Sequence, residues 1–268
     1  MRKAVALSAA LALALYGCSA RVAAPRPTTR TATTRAAVAT SAQLVGGETA
    51  LRGAAPSNVP TMPPLAVEVM SPSVRTLGEA RFELVFSDGR SRPIEAVRDG
   101  ADRTAPTAQH HAASFIVDYD REPLHSRCES AADERSADAI LRRVDQWITH
   151  KSLAIGFVTA DVVFEGREGD CTEHSVLATA MLRCNGTASR LAFGFLVFRN
   201  GTYVGASGHM WSERFEDGWR VADATFPTRA AEVVHLRLGL MLDEGPGAVA
   251  LADDRDFLRV TRIRVLAR

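Results

Sequence analysis

The chain has 268 residues, with 32 lysines and arginines against 31 aspartates and glutamates, a formal net charge of +1. That balance excludes a strongly basic nucleic-acid binder, because duplex binding leans on clustered positive charge. Hydrophobic residues make up 46% of the chain, enough for a packed core, and four cysteines are too few for a disulfide scaffold of this size.

Arg2 and Lys3 precede an apolar run from Ala4 to Tyr16. This reads as the charged n-region and h-region of a secretory signal, shorter than the roughly 20 residues of a membrane span. The run ends in Leu15-Tyr16-Gly17-Cys18-Ser19, which resembles the lipobox of bacterial lipoproteins. The resemblance implies that residues 1–17 are removed and that Cys18 is acylated, although a residue smaller than Tyr16 is usual there. Ordinary signal cleavage near Ala20 or Ala24 is the alternative. Either route exports the chain to the cell envelope, periplasmic or outer-membrane. Acyl chains on Cys18 would hold it on a membrane surface at about 0.8 kcal/mol per buried CH₂.

Residues 18–64 read as a flexible linker. From residue 21 onward they are rich in Ala, Thr, Pro and Arg, with Glu48 the only acid. They have no periodicity, and cannot bury enough apolar surface to offset their ordering entropy. Residues 65–126 read as a small β-rich region. Phe82-Glu83-Leu84-Val85-Phe86 runs into Ser87-Asp88-Gly89, a strand and a turn, and Ser114 to Tyr119 predicts a second strand. Between them Gly100 and Pro106 mark a loop. His110-His111 has no partner at metal-ligand spacing.

Residues 127–268 read as the catalytic domain. Ala137, Ile140, Leu141, Val144, Trp147 and Ile148 recur at three- and four-residue steps, which predicts a helix with one buried face and Trp147 in the core. In Gly169-Asp170-Cys171-Thr172-Glu173-His174, Asp170 and Glu173 form a capping box, followed by the stripe Val176, Leu177, Ala180, Met181 and Cys184. Asn185-Gly186 closes the helix with a left-handed cap. Cys171 therefore falls at the first helical position, where unpaired N–H groups and the macrodipole favour a thiolate. Cys184 fits a buried core thiol; Cys171 does not.

Leu191 to Phe198 reads as a buried strand. Gly208 to Phe215 and Trp219 to Thr225 read as the two arms of a hairpin around Glu216-Asp217-Gly218. Parity makes the loop length decisive. A two-residue loop would put His209 and Asp223 on opposite faces. A three-residue loop would pair 215 with 219 and set His209 diagonal to Asp223 on one face. Catalysis by both residues requires the second.

The blocks Arg167–His174, Leu182–Gly186, His209-Met210-Trp211 and Trp219–Thr225 resemble, in this order, the core of the transglutaminase-like superfamily. The resemblance spans roughly residues 135–226. It implies an α+β, papain-like fold with the nucleophile helix packed on an antiparallel β-sheet. It further implies Cys171 as nucleophile, His209 as general base and acid, and Asp223 as the orienting carboxylate. Thr187-Ala188-Ser189-Arg190 departs from the Ile-Pro-Ala-Arg usual after the helix cap, in a region that packs rather than reacts. The implied chemistry is acyl transfer on a peptide, protein or cell-wall amide with no cofactor. The Cys171 N–H is an oxyanion donor, and Trp147 or Trp211 are candidate second donors. His174, one turn from Cys171, tunes the site or packs locally.

Hydrolysis as a peptidase or amidase is the preferred outcome. Cross-linking of protein glutamines and a non-catalytic peptide- or glycan-binding domain are the alternatives. A zinc site from Cys171, His174, His209 and Asp223 is a fourth reading, and its ligand types suit the metal. Cys184 reads as helix core and Cys128 as a loop residue; a bridge between them is left open and requires a Cα separation under about 7 Å. Beyond Phe226, Val233 to Leu238 and the alternating run Phe257 to Leu266 are expected to close the sheet around the triad strands.

Overall fold

A computed structural model describes residues 65–70, 74, 76–130, 136–152, 158–226, 232–241, 244–245 and 255–267. The expected signal, Cys18 and linker lie outside them. Among the described residues no helix is long and apolar enough to cross a membrane.

In chain order the elements are β1 (Ala66–Val69), β2 (Arg81–Phe86), β3 (Ser91–Ile94), α1 (Leu124–Ser130), α2 (Ala137–Trp147), β4 (His150–Lys151) and α3 (Ala160–Gly166). They continue with β5 (Glu168–Gly169), α4 (Cys171–Cys184), β6 (Ser189–Asn200), β7 (Tyr203–Phe215), β8 (Trp219–Ala222), β9 (Glu232–Leu240), α5 (Arg255–Arg259) and β10 (Val260–Leu266). The fold is α+β. One antiparallel sheet has the order β8-β7-β6-β9, and a second has the order β1-β10-β2-β3, with only β1 and β10 parallel.

Alternation decides what each sheet face touches. Leu191 on β6 and Met210 on β7 turn toward α4 and share one core with Val176, Leu177, Ala180 and Met181. Helix α2 lays Ile140, Leu141 and Val144 on that core, and α3 adds Val163 and Phe164. With helices on its flanks and a sheet beneath it, α4 is buried along nearly its whole length. Further along the first sheet, Phe195 and Val197 of β6 and Leu236 of β9 pack against Phe82 and Leu84 of β2 and Ile263 and Val265 of β10, a second core between the sheets.

Three expectations are corrected. Ser114 to Tyr119 is a loop, not a strand. Ile116 and Val117 are buried, but the backbone is held by local bonds, Val117 N–H donating to Ser114 Oγ and Ser114 N–H to the Val117 carbonyl. Of the C-terminal run only Val260–Leu266 is the predicted strand, Phe257 to Arg259 ending helix α5, and β10 inserts between β1 and β2 rather than joining the sheet of β7 and β8; alternation specifies a half-buried strand and not its partner. Cys128 lies in a helix rather than a loop, and it is bridged to Cys184 with a Cα separation of 6.0 Å. The bond ties α1 to the C-terminal end of α4.

Candidate active site

The N-terminus of α4 is built from local sequence. Gly169 has φ +155°, and a Cβ there would lie 2.3 Å from the Glu173 Cβ, so the capping box closes only over a glycine. The Asp170 carboxylate accepts from Thr172 N–H at 2.7 Å, and the Glu173 carboxyl accepts from Asp170 N–H at 2.9 Å. Burial, reinforced by the Asp170 charge, pushes the Glu173 carboxyl well above the usual carboxylate range. Cys171 opens the helix and retains 8% of its surface.

The β7–β8 hairpin has the three-residue loop. Phe215 pairs with Trp219 and Ser212 with Ala222, while Asp217 takes the left-handed turn with φ +55°. Asp223 follows directly after β8, and the β7–β8 register extended by one residue would set it opposite Trp211, with His209 diagonal to it. His209 Nε2 sits 2.8 Å from Asp223 Oδ2. Asp223 Oδ1 accepts from Thr225 N–H at 2.9 Å. His209 also hydrogen-bonds Cys171; because Nε2 is committed to Asp223, Nδ1 is the nitrogen left for the thiol. On the outer side of β7, β8 reaches only as far as Ser212, and among the described residues no strand pairs with β7 there from 207 to 211.

Burial lowers the His209 pKa, but the Asp223 charge and hydrogen bond, with the Cys171 bond added, more than reverse this and hold it at about 10. Burial raises Asp223, and the charges and N–H donors of His209 and His235 outweigh it, leaving the carboxyl far below its usual range. The arrangement therefore stabilises an imidazolium between two groups able to carry negative charge.

The other singled-out residues separate cleanly. Among the described residues His174 does not join the cluster of His209, Asp223 and His235. Its Nδ1 donates to the Asp170 carbonyl and its Nε2 faces Lys151 Nζ. Burial, then the Lys151 charge, lowers it to about 4. The zinc set of Cys171, His174, His209 and Asp223 therefore is not assembled. Trp147 Nε1 donates to the Phe164 carbonyl at 2.8 Å and is committed there, whereas Trp211 is wholly buried beside His209, its Nε1 without a hydrogen-bond partner among the described residues. His110 Nδ1 accepts from Thr107 N–H, closing a short turn.

One residue was missed by sequence reasoning. His235, on β9, places its Nε2 2.8 Å from the same Asp223 Oδ2 that holds His209. His209, Asp223 and His235 offer three ligand atoms within 4.8 Å of one another, a donor set that zinc would accept. Each imidazole nitrogen also lies at hydrogen-bond distance from the shared oxygen, an arrangement that two ring N–H donors satisfy as well. The sequence carried no signal for this contact, because His235 sits in an alternating strand whose neighbours are set by tertiary pairing.

Residues 125–224 match the model of the transglutaminase-like superfamily. This segment is a transglutaminase-like core. It contains Cys171, His209 and Asp223, whereas His235 lies beyond it. Among solved structures, a candidate cysteine protease from Cytophaga hutchinsonii is 14% identical with a TM-score of 0.40, over 70% of this chain and 58% of that one. The periplasmic domain of TgpA from Pseudomonas aeruginosa is 19% identical with a TM-score of 0.29, over 48% of this chain and 50% of that one. Its ethylmercury-bound form is 20% identical with a TM-score of 0.28, over 43% and 50%. The match thus spans between half and 58% of each of these proteins. No curated protein matches the chain.

Proposed function

We propose that the transglutaminase-like core carries a cysteine-dependent acyl-transfer activity on amide or peptide bonds, with water as the ordinary acceptor. The observation that carries this reading is His209, hydrogen-bonded to Cys171 through one nitrogen and to Asp223 through the other. The Cys171 thiolate attacks the carbonyl carbon, forming a C–S bond, and the carbonyl oxygen takes the negative charge beside the N-terminus of α4 and the Cys171 N–H. Collapse breaks the C–N bond as His209 Nδ1 gives its proton to the leaving amine. Water then attacks the thioester, His209 accepts its proton, and the C–S bond breaks to release the acid and restore the thiolate. Asp223 stays ionised throughout and fixes the ring.

The substrate class in this reading is a peptide, protein or cell-wall amide met at the envelope, with Cys18 as lipid anchor. The test compares wild type with Cys171→Ala on envelope extracts, scoring peptide cleavage, ammonia release and incorporation of a fluorescent primary amine. Cleavage or ammonia release lost in the variant supports hydrolysis. Amine incorporation dominating over hydrolysis identifies a cross-linker, and activity surviving in the variant refutes the thiol mechanism.

A further inference from the structure

The Asp223 carboxylate receives more than a Cys-His-Asp triad requires. Oδ2 lies 2.8 Å from both His209 Nε2 and His235 Nε2, and Oδ1 takes the Thr225 N–H. The two rings arrive from strands that are not neighbours, since β6 lies between β7 and β9. The register explains how they meet. On the triad face of β6, Gly194 stands opposite His209 and Ala192 opposite Trp211. His235 itself pairs with Leu196 on the same face, so it is the gap at Gly194 and Ala192, beside that leucine, over which side chains of β7 and β9 meet diagonally. The Trp211 ring packs edge-on against His235 at 4.9 Å and lies parallel to His209 at 6.1 Å. The His235 backbone is fixed as well, its carbonyl accepting from Val97 N–H at 2.8 Å.

We propose that His235 is a positioning residue of this site. Its Nε2–H clamps Asp223 so that the carboxylate stays aimed at His209 and cannot swing away. The inference rests on the acyl-transfer reading for its purpose, but not for its physics. One carboxylate oxygen serves two imidazoles whose rings are 5.8 Å apart. Only one of them can be an imidazolium without like-charge repulsion, and the contact with Cys171 assigns that role to His209. His235 is then the neutral donor. It sits on β9, outside the matched core, so the site is completed by a later part of the chain.

The test uses alkylation of Cys171 by iodoacetamide, which needs no substrate. His235→Leu is expected to slow alkylation at neutral pH at least 10-fold and to displace its pH profile upward, because Asp223 no longer holds the His209 imidazolium in place. His235→Gln retains an N–H donor and is expected to stay within threefold of wild type with an unshifted profile, a rescue that a packing role alone would not produce. Should the leucine variant not fold, proton NMR of wild type and the glutamine variant decides. Wild type is expected to show two strongly downfield ring N–H resonances and the variant one. A leucine variant alkylating as wild type does, or a single such resonance in wild type, overturns the clamp. So does stoichiometric zinc held by wild type, lost in the glutamine variant and stripped by EDTA, which would make the cluster a metal centre. If instead Cys171→Ala keeps hydrolytic activity while the alkylation results hold, the acyl-transfer reading fails and the clamp stands.

Discussion

Asp223→Asn removes one charge and almost no volume, which makes it the sharpest probe of the site. Three N–H donors converge on the carboxylate, from His209, His235 and Thr225. An amide offers one oxygen and one NH₂, so either orientation sets donor against donor at one partner at least. The electrostatic loss is larger. His209 stands at about 10 against an ordinary 6.5, with burial opposing the rise. At about 1.4 kcal/mol per unit this is on the order of 5 kcal/mol of preference for the imidazolium. Without Asp223 only burial and the thiol remain, and the ring is neutral at pH 7. Cys171 then loses its cationic partner. Alkylation at pH 7 is expected to fall by about 30-fold, the drop from a full thiolate to the small fraction an unaided thiol carries at that pH. Reactivity should return only as the thiol ionises unaided, at a pH above about 8.5. The assay is the iodoacetamide rate between pH 5 and 10, read by mass spectrometry, with a thermal melt to certify folding. A folded variant within threefold of wild type at pH 7, with the same profile, would refute the argument that Asp223 sets the charge on His209.

Replacing the Cys128–Cys184 pair by serines reopens a loop with a sequence separation of 56, which costs about 4 kcal/mol in the chain-entropy picture and should lower the melting temperature without touching Cys171 alkylation. Asp118, raised to about 7 first by burial and then by Asp161, holds its proton more tightly folded than unfolded, so this contribution is complete below about pH 4 and is lost as pH rises through 7. Asp118→Asn keeps the acceptor for Asp161 N–H and should gain about 1–3 kcal/mol over wild type at pH 8 and little at pH 4, read by denaturant melts. Gly194→Ala puts a Cβ 2.1 Å from the Leu236 carbonyl oxygen, so β9 must retreat; a loss of about 1–3 kcal/mol and slower Cys171 alkylation together are expected, while a stable variant would refute the close packing over β6.

Local chemistry made part of this site legible in the sequence. The Asp170–Glu173 box and the Gly186 cap each join residues a few positions apart, and both ends of α4 follow from them. The hairpin needed one more step, because only the loop length decides whether His209 and Asp223 share a face. The pairing of His209 with Asp223 therefore follows from adjacent elements, whereas the approach of Cys171 to His209 depends on how α4 packs against β7. What was illegible depends on packing between elements distant in sequence. The alternating run ending in β10 is compatible with either sheet. Ser114 to Tyr119 has the composition of a strand, yet Ile116 and Val117 are buried from a loop whose bonds are local. Cys128 could be matched to Cys184 only once α1 was placed beside the end of α4. His235 reaches Asp223 across a strand whose small residues look unremarkable in sequence.

The transglutaminase-like core contains Cys171, His209 and Asp223, but their geometry is fixed from outside it on two sides. β8 carries Asp223 at its end and is an edge strand of its sheet. Its outer edge is held by the 99–104 loop. Trp219 N–H donates to the Asp102 carbonyl at 2.7 Å, and Gly100 N–H to the Trp219 carbonyl at 2.8 Å. Val221 N–H donates to the Asp99 carboxylate, and Trp219 Nε1 to the Thr104 carbonyl. The same loop reaches back to the sheet through Asp102, which pairs with Arg190; that guanidinium also binds Glu213 and lies 3.9 Å over the Trp219 ring. From the other side, β9 brings His235 to the carboxylate itself. Asp223 is therefore held by a preceding loop through its strand and by a following strand through its oxygen. A short hairpin alone would leave that carboxylate free to turn; the surrounding segments restrict it to the one direction in which it holds the His209 proton.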